Sequence, residues 1–283
     1  MIIPYKRKHL GTNTNWILFN LYTQTGDEVI TMLPFERREK ILNTLYREKK
    51  VYVSNLANEF NVTEETIRRD LEKLEKEGIV TRTYGGAVLN IHTNEDLPYH
   101  TRNTTNIEEK RKIASKIHSL ISDGDTLMAD ASSTVFEALK ELNNTKEGLT
   151  VLTNSVESLR EFTQSKLNII STGGLLRKQS GSLVGSIAEN TVRNYNVDVV
   201  LLSCKGISLT HGITESNENE SDLKKHMIRQ ANKVILLVDH TKFDKIAFVK
   251  FLDISDIDFL ITDTKPREEW LTFLEQNHIE VIY

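Results

Sequence analysis

The chain has 283 residues and a mass of 32.4 kDa, too long for one small module and comfortable for two domains of unequal size. Its 39% hydrophobic and 27% charged residues argue against wholesale disorder, and the single cysteine, Cys204, excludes an internal disulfide, a zinc finger or a CxxC redox site, so a reducing cytoplasm is expected. The longest apolar runs, 197–203 and 234–238, fall far short of the ~20 residues of a membrane helix, and the net charge of −4 hides an asymmetry, because residues 32–90 carry 11 basic against 10 acidic side chains and the acid excess lies beyond them.

Residues 1–31 show no period. Lys6, Arg7 and Lys8 precede a short Trp16–Phe19 apolar run that is too brief for a signal peptide. The periodic sequence starts at Met32, so the extension is expected to be either an over-extended start or a flexible arm. Over 35–47, Ile41, Leu42, Leu45 and Tyr46 recur at helical spacing. Ser54 stands before Leu56, Ala57 and Phe60, and Thr63 before Ile67, Leu71 and Leu74, each hydroxyl where an N-cap belongs. Two helices are therefore expected across a tight turn, the second loaded with Glu64 and Glu65 at its positive end and stopped by Gly78. Residues 79–88, around Gly85 and Gly86, read as a small hairpin, and 90–105, polar and containing Pro98, as a linker.

On a helical wheel Ile67, Leu71 and Leu74 form the buried stripe of the second helix, within ~40° of one another. The opposite face carries Glu65, Thr66, Arg69, Lys73 and Lys76, with Arg68 on the flank. Such a face is either an ordinary solvated surface or a recognition helix for the major groove, where an arginine fork grips guanine and lysines meet phosphates.

Beyond residue 106, helical patterns over 107–121, 134–142, 156–162, 187–195, 222–231 and 267–277 alternate with β-rich runs at 126–129, 149–152, 167–170, 197–202, 234–238 and 259–262. This alternation predicts an α/β fold with a mainly parallel sheet covered by helices. Three successive strand ends are small and polar: Asp130 with Ser132, Ser133 and Thr134; Thr153, Asn154 and Ser155; Gly173 and Gly174. Each alone is an ordinary helix cap, but together they suggest a ligand site, since ligands collect at the carboxyl ends of parallel strands and helix N-termini attract anions.

The capped helix pair, TIRRDL at 66–71, RTYGGA at 82–87, DASST at 130–134, TNS at 153–155, Gly173-Gly174, an E-x-x-x-K at 220–224 and D-x-T-K-F at 239–243 together resemble the DeoR family of bacterial transcriptional regulators over nearly all of residues 34–263. The resemblance implies a winged helix-turn-helix over 32–89, with Thr66, Arg68 and Arg69 on the recognition helix and Arg82 at the wing, and Asp70 holding Arg68 or Arg47. It implies a sensor over 106–283 whose fold is similar to that of ribose-5-phosphate isomerase and whose ligands are phosphorylated sugars. Glu220, Lys224 and Lys242 are then candidates for sugar hydroxyls and phosphate, and Lys205 of the Ser203–Gly206 segment joins them. The Ser203-Cys204-Lys205-Gly206 and Asp130-Ala131-Ser132-Ser133 departures from the usual pattern look like the L-fucose operon activator branch.

The expected partners are operator DNA, a phosphorylated sugar and further copies of the chain as a dimer or tetramer; repression is the family's usual mode. Scattered histidines without HxxxH or HxH spacing, and the lack of phosphate-binding nucleotide motifs, predict neither metal nor cofactor. The rival reading is a sugar-phosphate isomerase or deaminase with an appended DNA-binding domain, using Asp130 or Glu220 as base.

Overall fold

The computed structural model describes residues 32–76, 79–89 and 96–283. The readings of 1–31, of Gly78 as a helix stop and of 90–95 as linker lie outside them.

Helix α1 (Pro34–Glu48) opens with proline in its first turn, where no amide partner is needed, and ends at Lys49 with a left-handed φ of 64°. There follow β1 (Lys50–Tyr52), α2 (Val53–Glu59), α3 (Glu64–Lys76), β2 (Val80–Thr83) and β3 (Gly86–Leu89), the three strands forming an antiparallel wing in the order β1-β3-β2. Strand β1 has no counterpart in the sequence reading; three residues are too few to display a period. The core of this unit is Ile41, Leu45, Leu56, Ile67, Leu71 and Leu74, all at most 2% exposed, so the predicted stripe is the buried one. Thr63 caps α3 as expected, its Oγ1 accepting from the Thr66 amide at 3.3 Å. Ser54 does not cap α2, because that helix begins one residue earlier, behind Tyr52.

Asp70 is 3% exposed and grips neither Arg68 nor Arg47. It accepts from Arg37 Nε at 2.6 Å and lies 3.5 Å from Arg38, which locks α3 to α1 through a pair 33 residues apart in sequence.

The remainder builds on a seven-stranded sheet with every pairing parallel: β4 (Thr126–Ala129), β5 (Thr150–Thr153), β6 (Asn168–Ser171), β9 (Val197–Leu202), β12 (Ala231–Leu237), β14 (Phe259–Ile261) and β15 (Glu280–Ile282), ordered β15-β14-β12-β9-β4-β5-β6. Two short antiparallel assemblies flank it, the hairpin β7 (Leu175–Arg177) with β8 (Ser182–Val184), and the sheet of β10 (Gly206–Ser208), β11 (Gly212–Glu215) and β13 (Val249–Leu252). Neighbouring residues point to opposite faces: Leu127, Ala129 and Leu201 pack under α5 (Ile107–Ala114) and α6 (Ser133–Thr145), while Met128, Val200 and Leu202 pack with α8 (Ser186–Arg193), α9 (Glu218–Arg229) and α10 (Glu268–Gln276). The remaining helices are α4 (Tyr99–Thr104) and α7 (Val156–Glu161).

Helix α9 starts four residues before the predicted 222, where Asn217 caps it by accepting from the Glu220 amide at 3.3 Å. Residues 96–105, read as linker, are ordered against the sensor: Tyr99 N donates to Gln179 O at 2.9 Å, Arg102 donates to Ser180 O at 3.0 Å, and Asp96 pairs with Arg177 at 2.9 Å and with Lys205 at 3.2 Å. The order of β9, β4 and β5 reverses the chain direction across the sheet, and the carboxyl ends of β4 and β9 flank the crevice where such folds place ligands.

Because both partners of the Arg37–Asp70 pair are buried, Asp70→Ala strands a guanidinium in the core. A loss of about 3–5 kcal/mol is expected, read as an earlier unfolding transition in urea followed by circular dichroism. An unmoved transition contradicts the locking role.

Candidate functional site

Two surfaces carry the chemistry. On α3, Glu65, Arg68, Arg69, Lys73 and Lys76 are exposed and Thr66 is half-buried, its hydroxyl 2.9 Å from that of Thr63. The cations are lightly tethered: Arg68 to Glu64 at 2.5 Å, Arg69 to Glu65 at 3.4 Å, Lys76 to Glu72 at 2.7 Å, and Arg82, on β2, to Glu75 at 2.6 Å. Exposed pairs of this kind contribute little and exchange readily. Arg69, with 75% of its side chain exposed, is free to leave Glu65 for a base edge.

The second surface is a cleft of about 990 Å³ that runs from the carboxyl ends of β4 and β9 to Asn43, Arg47, Lys49 and Leu89 of the helix-turn-helix unit. Of the residues expected at a ligand site, it gathers Ser132, Ser133, Thr134, Asn154, Lys205, Glu220, Lys224 and Lys242. Asp130 lies beneath, 1% exposed, accepting from the amides of Ser132 (2.9 Å) and Ser203 (3.0 Å) and standing 3.0 Å from Lys224 Nζ. Thr153, Ser155, Gly173 and Gly174 are not among the lining residues. Thr153 is tied to Ala129 O at 2.8 Å, Ser155 caps α7, and Gly174 has φ +115° with room for a Cβ only 2.6 Å from Val184 O, so these hold backbone in place.

The lining hydroxyls are also partly engaged. Ser132 Oγ caps α6 by accepting from Val135 N at 3.2 Å, and Ser133 Oγ donates to Arg102 O at 3.2 Å. Asn154 donates through Nδ2 to Leu183 O at 3.2 Å, but its buried Oδ1 accepts nothing among the described residues. A buried carbonyl oxygen left unserved, on a residue that lines the cleft, can accept from a hydroxyl.

Charges in the cleft divide into two groups. Lys224 is held by Glu215 at 2.6 Å and by Asp130, and also donates to Ser203 O at 2.8 Å; burial alone would pull its pKa down, but Asp130, Glu215 and Glu220 outweigh this and push it up. Glu220 is buried, which works against its charge, yet Lys224, the Ser180 and Ser182 hydroxyls and Arg177 hold its carboxyl well below the usual range. Asp239 likewise stays low despite burial, through Lys242 and the hydroxyl and amide of Thr241. In contrast Lys242, Arg102 and Lys110 form no ion pair among the described residues. Burial, and then Arg102, lowers the pKa of Lys205, which Asp96 holds. Burial pushes the Cys204 thiol up to about 12, an inert side chain as expected for a small buried residue.

Arg102, Lys110, Glu215 and Asp96 were not foreseen. Lys110 sits in EEKRKIA, which reads as the polar face of a surface helix, and Arg102 and Asp96 lie in the supposed linker; nothing in the residue pattern marks them.

A winged helix with a cationic solvent-facing helix, joined to an α/β domain with a charged cleft at its strand ends, is the build of a ligand-responsive DNA-binding regulator. Residues 37–93 match the DeoR-like helix-turn-helix domain and 105–264 the DeoR C terminal sensor domain, and the chain belongs to the DeoR family. It is 37% identical to the uncharacterized HTH-type transcriptional regulator YulB of Bacillus subtilis (88% of this chain, 96% of that protein) and 36% identical to the HTH-type transcriptional repressor GlcR of the same organism (87% and 95%). Among solved structures, ribose 5-phosphate isomerase a from Methanocaldococcus jannaschii is similar with a TM-score of 0.37 and 18% identity, over 49% of this chain and 55% of that one. The protein is a transcriptional regulator and not an enzyme. No described helix is long and apolar enough to cross a membrane.

Proposed function

We propose that this regulator represses a sugar-utilisation operon in the cytoplasm, as a dimer or tetramer, and that a phosphorylated sugar in the sensor cleft controls its grip on DNA. The observation that carries the effector reading is the meeting, in one cleft, of the cations Arg102 and Lys242 and the first turn of α6 with the unserved Asn154 oxygen and the carboxylate of Glu220. The first set suits a phosphate and the second suits hydroxyls. Asp130, Ser132, Ser133, Thr134, Lys205 and Lys224 complete the proposed site, with Lys224 acting from its carboxylate cage. On the DNA side, Thr66, Arg68 and Arg69 read bases, and Lys73, Lys76 and Arg82 meet phosphates. The likeness to a protein named as a repressor supports the repressive mode.

Arg69→Ala is expected to cost ~1–3 kcal/mol of operator preference while leaving affinity for scrambled DNA nearly intact. Electrophoretic mobility shifts with both duplexes decide it, and full discrimination by the variant removes Arg69 from base reading. A single winged helix covers too short a site for useful specificity, so two copies on adjacent half-sites are needed; a monomer by light scattering at micromolar concentration, with and without DNA, contradicts the oligomer. For the effector, thermal shifts with fuculose 1-phosphate, fructose 1-phosphate and the free sugars are expected to favour the phosphorylated forms. Ser133→Glu, which sets a like charge in the phosphate seat, abolishes that response. Equal stabilisation by free and phosphorylated sugars, or a response surviving Ser133→Glu, places the ligand elsewhere.

A further inference from the structure

Lys110, on α5, is 5% exposed and lines the cleft, yet forms no ion pair among the described residues. Its Nζ donates to the carbonyl of Arg102 and, at 2.5 Å, to that of Thr105, the two carbonyls at the end of α4. The Arg102 carbonyl also receives the Ser133 hydroxyl at 3.2 Å, so the ammonium and the first turn of α6 converge on one oxygen. From the other side, Asn106 Nδ2 donates to Thr241 Oγ1 at 3.3 Å and reaches Asp239 Oδ1 at 3.5 Å, binding the α4–α5 junction to the turn that carries Lys242. Two carbonyls satisfy hydrogen bonds but supply no countercharge, and an ammonium has three donors.

We propose that Lys110 is an anion-binding residue of the effector site, its ammonium shared between the end of α4 and the effector's phosphate, with Lys242 as the second cation. The assignment rests on the sugar-phosphate reading of the cleft and adds a residue and a proton to it. A phosphate seated against the first turn of α6 lies within reach of both lysines, and its two negative charges meet two cations that form no ion pair among the described residues, Asp239 being the carboxylate that lies between them. Because Lys110 also caps α4, the first helix after residues 90–95, occupancy is transmitted to the segment that leads to the DNA-binding half.

Binding is consequently linked to protons. The groups facing Lys110 are Lys242 and Asp239 at the end of β12 and the turn after it, Arg102 on α4 and Glu137 on α6; burial and then Lys242 pull the lysine down to about 7, with Asp239 and Glu137 opposing. A bound dianion favours the charged ammonium and raises its pKa, so above about pH 7 binding takes up a proton and affinity falls as pH rises, whereas well below that value it is flat.

Isothermal titration with sulfate, a dianion that does not itself titrate between about pH 6 and about pH 9, isolates the protein's contribution. The full chain is expected to bind sulfate more weakly as pH rises through this range, with a heat that depends on the buffer's ionisation enthalpy. Lys110→Gln keeps donors for the two carbonyls and so preserves the fold; it is expected to bind at least about tenfold more weakly at the acid end and to lose the pH slope. Lys110→Arg restores affinity without the slope. If Lys110→Gln binds as the unaltered chain does while Lys242→Gln does not, the anion site stands and Lys110 has no part in it. If the unaltered chain binds no sulfate at any pH, the phosphate reading of the cleft falls together with this one.

Discussion

The sensor is organised around one buried ammonium. Lys224 on α9 sits 3.0 Å from Asp130 at the end of β4 and 2.6 Å from Glu215 at the end of β11, and donates to Ser203 O at the end of β9. One cation thus ties together the two central strands on either side of the crevice, a strand of the small flanking sheet and a covering helix. Asp130, fixed by this contact, in turn orients the Ser132 amide at the entrance to α6. Two carboxylates buried within reach of each other are tolerable only with a cation between them. The same arrangement answers why Lys224 differs from the phosphate-binding lysine that its sequence context suggests: its charge is already matched by the floor of the cleft, whereas Arg102, Lys110 and Lys242 line it without an ion pair among the described residues.

Much of this was legible in the sequence and the remainder was hidden for identifiable reasons. The stripe of Ile67, Leu71 and Leu74 was readable because helical periodicity is local, and six of the seven parallel strands announced themselves as β-branched runs between amphipathic helices. The missed strands β1, β7, β8, β10, β11, β13 and β15 have three or four residues each, and β4, β5, β6 and β14 are as short; the latter stand as apolar runs between helical patterns, a context that β7, β8, β10, β11 and β13 lack. Ser54 misled because a hydroxyl before an apolar run satisfies the N-cap pattern equally when the cap lies two residues earlier, at Tyr52. Asp70 and Lys110 failed differently. Asp70 finds Arg37 across 33 residues, beyond any spacing rule, and Lys110 finds backbone carbonyls at the end of a helix inside an apparent linker, partners near in sequence but carrying no side-chain signal.

Helix α3 separates two uses of charge within a few residues. Asp70 points inward, where loss of solvent makes its pairing with Arg37 strong and its position obligatory. Arg68, Arg69 and Lys76 point outward and satisfy themselves with glutamates one turn away, pairs that water and salt weaken. A DNA phosphate or a guanine edge needs only to outcompete such a pair, so the helix remains rigidly placed while its outer face stays exchangeable. Wrapping Glu64 and Glu65 around the N-terminal turn serves the macrodipole, and it also keeps a weakly charged surface from binding every duplex alike, since a net charge near zero over residues 32–90 leaves little nonspecific attraction and places the burden on particular contacts.

The charged network of the sensor reaches beyond the cleft. Asp96, immediately after residues 90–95, is held by Lys205, which lines the cleft, and by Arg177, whose other nitrogen lies 2.9 Å from Glu220. Glu220 accepts from Ser182 at 2.6 Å and is kept ionised partly by Lys224. Anchoring the chain as it enters the sensor and balancing charge in the cleft are therefore one electrostatic problem with shared residues. In a site with low exposure to water, adding an anion changes the preferred partner of every cation within a few ångströms. A cleft lined by hydroxyls and amides alone would hold a ligand without this consequence. Lysines and arginines that already carry the entering segment make occupancy and anchorage compete for the same charges, and that competition is a physical basis for a sensor to communicate with the domain that precedes it.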